Sequence, residues 1–186
     1  MNLFPNYHQG SPTMLFVDGE NFAIRYGEEL KSRGTGPIHG VYYVPNVYVW
    51  PTRFQNPLIQ QAKTIRRHYY TSVQGDELKI DEIIDQLKGL GIEQPSVFKK
   101  KSGNRSKQVD ISLATDMLSH AFHRNYDTAV LVAGDEDYVP LVRAVKSFGR
   151  RVLVWFISNG ISPVLRREAD MFANIDPFLF DENFHF

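Results

Sequence analysis

Thr128–Asp137 reads TAVLVAGDED, an apolar and β-branched run that stops at Gly134 and two aspartates. It lacks the in-out alternation of a half-exposed strand. Both of its faces are therefore expected to be covered, as in a parallel sheet packed between helices. The flanking segments agree. Asp110 to about Arg124 carries Ile111, Ala114, Leu118, Ala121 and Phe122 at helical spacing. Asp137–Phe148 reads as a helix, with Pro140 tolerable in its first turn and Gly149 at its end. Val152–Ile157 is a second buried strand. Ser162-Pro163 opens a further helix, since Ser caps well and Pro suits the first helical position. Phe172–Ile175 is expected to be an edge strand.

The same alternation runs toward the N-terminus. Met14–Val17 is a short strand that stops at Asp18-Gly19-Glu20-Asn21, and a helix follows to about Ser32. Gly34-Thr35-Gly36-Pro37 breaks that helix. Val41–Trp50 (VYYVPNVYVW) predicts an irregular hairpin around its Pro-Asn pair. Lys63–Val73 reads as a second core strand, Asp76–Leu90 as an amphipathic helix stopped by Gly91, and Ile92–Lys99 as a third strand. Lys100–Lys107 reads as a polar loop. Together these elements predict one α/β domain: an open, mostly parallel sheet with helices on both faces. Residues 1–12 and 177–186 read as tails.

Composition narrows the function. The chain has 186 residues, 21 basic and 21 acidic side chains, and no cysteine. That length suits a single core. The missing cysteines exclude disulfides, thiolate metal sites and a cysteine nucleophile, and they fit a reducing, cytoplasmic setting. No apolar run is long enough to cross a bilayer, and Met1–Thr13 lacks a secretory pattern, so no membrane partner is expected. The chain contains no G-x-x-x-x-G-K-[ST] phosphate loop, no G-x-S-x-G elbow and no H-E-x-x-H pair. Asp18-Gly19-Glu20 departs from the Asp-x-Asp of an aspartyl-phosphate phosphatase.

In an open parallel sheet, ligands bind outside the carboxyl ends of the strands. There the sequence places Asp18 after the first strand, Asp135 and Asp137 after the TAVLVA strand, and Asp110 at a helix start. Any one of them could be an ordinary helix cap. Several carboxylates at one edge, however, repel one another unless a cation or a proton intervenes. An all-oxygen donor set favours Mg²⁺ or Mn²⁺ over zinc. Asp116 lies off the apolar stripe, either solvated or facing the cleft, and His120 and His123 read as surface residues.

The cations cluster too. Lys99, Lys100, Lys101, Arg105 and Lys107 occupy one segment with no acid among them, and it runs directly into Asp110. A basic loop beside an acidic edge suits a phosphodiester backbone, with cations on the phosphates and a metal at the reacting one. The zero net charge thus excludes only indiscriminate, whole-surface binding. The aromatic residues of 41–50 read as packing or a dimer contact, with stacking on unpaired bases as the alternative.

The motifs Val17-Asp18-Gly19-Glu20-Asn21, Lys107-Gln108-Val109-Asp110 with Leu113-Ala114-Thr115-Asp116, Tyr126-Asp127-Thr128-Ala129 and Gly134-Asp135-Glu136-Asp137-Tyr138-Val139-Pro140-Leu141 resemble the NYN domain. This is the LabA-like branch of the PIN-like nucleases. Leu165–Phe172 resembles the family's closing segment. The resemblance spans about residues 13–176 and implies a PIN-like three-layer sandwich and a metal-dependent ribonuclease acting on RNA, single-stranded RNA by preference. It implies catalytic, metal-binding roles for Asp18, Asp110, Asp135 and Asp137, with Asn21 and Asp116 as supporting polar positions. Two departures stand out. Ala133 replaces the usual Ser before the Gly-Asp pair, and about 37–54 looks like an inserted hairpin, a candidate substrate gate or homo-oligomer contact. A second function is open on the same residues: a non-catalytic RNA-binding or regulatory module that keeps the fold.

Overall fold

The structure, a computed structural model, describes residues 11–37, 41–44, 47–49, 63–100 and 107–181. The chain begins with β1 (Pro12–Asp18) and α1 (Gly19–Arg33). A small antiparallel pair follows, β2 (Tyr42–Val44) and β3 (Val47–Val49). Next come β4 (Lys63–Val73), α2 (Glu77–Gly89), β5 (Gln94–Lys99) and α3 (Lys107–Phe122). The last third holds β6 (Thr128–Val132), a 3-10 turn at Glu136–Tyr138, α4 (Val139–Ser147), β7 (Arg151–Phe156), α5 (Pro163–Glu168), β8 (Met171–Asn174) and α6 (Asp176–Phe180).

Six strands form one sheet in the order β5-β4-β1-β6-β7-β8, and every neighbouring pair is parallel. From β1 the chain builds outward through β4 to β5. It then crosses back through α3 and builds the other way through β6, β7 and β8. The strand order therefore reverses between β1 and β6, and such reversals open a crevice at the carboxyl ends of the two strands. Asp18 ends β1 and Gly134-Asp135 follow β6, so both flank that crevice.

Each strand alternates its side chains between two cores. On one face Leu15, Val17, Val130, Val132 and Trp155 pack with Phe22, Tyr26 and Leu30 of α1 and Ile83 and Leu87 of α2. On the other, Phe16, Tyr70, Leu131 and Val154 pack with α3, with Val142 and Val145 of α4 and with Leu165 of α5. The result is helix, sheet, helix: the three-layer α/β sandwich expected of the sequence. Both faces are covered, so β6 is buried throughout, as its continuous run foretold.

Two details differ from the sequence reading. First, α3 starts at Lys107 and buries Val109, Leu113, Met117 and Ala121. Of the expected stripe, Ala121 is buried and Ala114 and Leu118 pack partly buried against the same core, while Ile111 and Phe122 remain 63% and 67% exposed. The helix is apolar on two sides, so spacing alone did not single out the inner one. Second, the segment after residue 176 forms α6, whose Phe180 ring stacks on Tyr26 and lies under the Arg33 guanidinium. The hairpin turns Val41 and Val49 into the α1 core, in line with the packing expected of 41–50, and Tyr42 stays exposed. Trp50, residues 1–10 and residues 182–186 lie outside the described residues.

Candidate functional site

Asp18 sits where β1 becomes α1. Its backbone is extended, and its Oδ1 accepts the Asn21 N–H at 2.9 Å as the helix N-cap. This is the ordinary capping role, and it fixes the carboxylate's orientation. Asp18 is fully buried. Gly19 is required beside it, because a Cβ there would lie 2.2 Å from the Tyr69 ring.

Asn21, also buried, reaches across the crevice. Its Oδ1 accepts the Gly134 N–H at 3.0 Å, tying the start of α1 to the loop after β6. Gly134 in turn accepts from the Ser162 N–H at 2.8 Å, which anchors the start of α5. A Cβ on Gly134 would lie 2.2 Å from the Gly160 carbonyl oxygen. The crevice floor is therefore backbone packed on backbone, held by one asparagine.

The decisive contact comes from Tyr138. Its hydroxyl lies 2.9 Å from Asp18 Oδ2 and 3.1 Å from Asp110 Oδ1. The end of the central strand β1 and the outer-layer helix α3 thus meet at a single phenol oxygen. A phenol carries one proton and can donate it to one carboxylate at a time. Burial, followed by the charges of Asp18 and Asp110, holds the Tyr138 hydroxyl protonated well above the usual phenol range. Burial and then Asp18 do the same to Tyr69.

The other predicted acids are placed differently. Asp135 is half-buried and caps the 3-10 turn, accepting the Asp137 N–H at 3.4 Å, while Asp137 is exposed on that turn. Asp116 faces the sheet and accepts the Tyr70 hydroxyl at 2.8 Å. Among the described residues, no three acidic or histidine side chains stand close enough together to hold a metal ion. The donor chemistry of Asp18 and Asp110 alone, two carboxylates meeting at one hydroxyl, fits a hard divalent cation. Mg²⁺ in particular is commonly held by one or two carboxylates with water and phosphate oxygens filling the rest.

The basic segment divides. Lys99 is exposed at the end of β5. Lys100 donates to Glu20 Oε1 at 2.7 Å and neutralises a glutamate that is only 5% exposed. Lys107 opens α3, and Lys101 and Arg105 lie outside the described residues. His123 is exposed, but His120 is partly buried and packs edge-on against His68. Sequence reasoning missed Tyr138 as a site residue. It stood inside the quoted Gly-Asp-Glu-Asp-Tyr motif, where an aromatic residue at a helix start reads as core.

Against known sequences, residues 12–176 match the NYN domain. The chain belongs to the NYN domain family. Within this NYN domain, one curated relative is 34% identical over 67 residues: the uncharacterized protein MJ0482 of Methanocaldococcus jannaschii. The match takes in 36% of this chain and only 28% of that relative's length. Among solved structures, a protein of unknown function from Vibrio parahaemolyticus, VPA0982, superposes with a TM-score of 0.64 at 20% identity. The superposition covers 95% of this chain and 99% of that one, and it supports the fold alone. No helix among the described residues is long and apolar enough to cross a membrane.

Proposed function

We propose that this NYN domain is a metal-dependent endoribonuclease of the LabA-like branch, acting on RNA, single-stranded by preference, in the cytoplasm. The observation that carries this reading is the convergence of Asp18 and Asp110 on the Tyr138 hydroxyl, at the point where the strand order reverses. In this reading Asp18 and Asp110 would hold Mg²⁺ or Mn²⁺, and Asp135 and Asp137 are the further acids of the set. When bound, such an ion polarises a phosphodiester and activates water for in-line attack.

The chain's own residues have distinct tasks. Asn21 holds the loop bearing Asp135 against α1, which fixes the width of the crevice. Asp116 supports α3 from beneath through Tyr70. Lys99, Lys101, Arg105 and Lys107 are proposed to grip the RNA backbone, with Lys100 contributing through its pair with Glu20. The hairpin at about 37–54 is proposed as an insertion in the domain, and its exposed Tyr42 as a homo-oligomer contact.

A second reading stands beside it. The same residues would serve a non-catalytic RNA-binding or regulatory module that keeps the fold. A cleavage assay with added Mn²⁺ separates the two. The nuclease reading predicts cleavage by the wild type that EDTA abolishes, with Asp110→Asn and Asp135→Asn reduced at least about 100-fold. RNA binding without cleavage, indifferent to EDTA, would establish the module instead.

A further inference from the structure

We propose that Tyr138 is a positioning residue for the acid pair: its buried hydroxyl links Asp18 to Asp110 and sets their affinity for a divalent cation. This rests on the metal-dependent reading above. Tyr138 is 3% exposed and ends the 3-10 turn, directly before the buried Val139 and Val142 of α4. The ring is therefore fixed by packing, and its oxygen is delivered to one place.

Asp18 accepts through Oδ1 from the Asn21 N–H and through Oδ2 from the phenol. Asp110 arrives on α3, a helix of one outer layer, and the phenol contact joins it to the end of the central strand. Donors that orient ligating carboxylates commonly matter 10–100-fold in metal affinity. Replacing the tyrosine by phenylalanine keeps the ring and its packing and deletes only the link.

The test is Mn²⁺ binding, followed by the paramagnetic resonance signal of the free ion, in three proteins. These are the wild type, Tyr138→Phe and Tyr126→Phe. Tyr126 is a control of the same chemistry, a buried phenol whose hydroxyl donates to the Met117 backbone carbonyl at 2.9 Å. Tyr138→Phe is expected to weaken Mn²⁺ binding about 10–100-fold while its circular dichroism remains that of the wild type. Tyr126→Phe is expected to leave the affinity unchanged. If wild type and Tyr138→Phe bind Mn²⁺ equally, the role of Tyr138 falls and the metal reading stands. If the wild type binds no Mn²⁺, both fall. Should Tyr138→Phe fail to fold, the wild type still decides: the ¹³Cζ resonance of Tyr138 is expected to shift on adding Mg²⁺, and a silent resonance overturns the role.

Discussion

Two tyrosines flank the same helix and end in opposite situations. Tyr70, on β4, gives its hydroxyl proton to Asp116 of α3 at 2.8 Å, one donor for one carboxylate. Tyr138 meets Asp110 of the same helix and also Asp18 of the central strand, one donor for two carboxylates. Both hydroxyls are buried, and both are held protonated by burial and nearby acid. The first arrangement is complete as a hydrogen bond and needs nothing further to explain it. The second brings two negative groups together around a proton that serves one at a time, and it stands at the strand-order reversal. Place in the fold, at the strand-order reversal, thus distinguishes the candidate site from a cross-layer brace where composition does not.

Asp110→Asn should break the site half of this comparison most severely, with the loss of cleavage given above. On the Tyr70 half the largest effect is expected from pH. His68 stacks between Phe16 and Tyr70, and burial, with help from His120 and Arg66 and against Asp116, lowers its pKa from 6.5 to about 4. The unfolded chain then binds a proton between those values that the folded chain refuses. Stability from this group is full above pH 6.5 and falls as pH drops toward 4, by about 3 kcal/mol at most. Denaturant titrations at pH 7 and pH 4.5 should show the drop, and His68→Phe should flatten it. An unchanged pH slope in that variant contradicts the assignment.

Tyr70→Phe comes next. Losing the bond to Asp116 should cost about 1–3 kcal/mol of unfolding free energy, read from the denaturation midpoint at unchanged slope. A stable Tyr70→Phe protein that has lost cleavage would blur the distinction between the two tyrosines. The smallest effect is expected from Lys99→Ala. One phosphate contact on a single strand contributes about 0.7 to the log-log salt dependence of binding, so the slope should fall by about that much. No change in slope removes Lys99 from the RNA face.

Much of this fold was legible in sequence because its signals are local. The uninterrupted apolar run of β6 foretold a strand covered on both faces, and the Ser162-Pro163 start of α5 foretold its cap, which accepts from Val164 and Leu165. The inner face of α3 was not legible, because Ile111 and Phe122 are as apolar as the Val109 and Leu113 that pack inward. The short α6, five residues long, escaped notice because it is too brief for an apolar pattern to repeat. At the site, Asp18 could be placed from the end of its strand. The Asn21–Gly134 bond spans 113 positions in sequence, and the aim of the Tyr138 hydroxyl depends on how the 3-10 turn leaves β6. Neither distance nor direction is written in spacing.

Whether Asp18 and Asp110, joined at Tyr138, form a divalent cation site is decided by a crystal soaked in Mn²⁺ and measured at the manganese absorption edge. An anomalous peak in contact with carboxylate oxygens of both Asp18 and Asp110 is expected. A peak bound by neither, or none at saturating Mn²⁺, rules the site out.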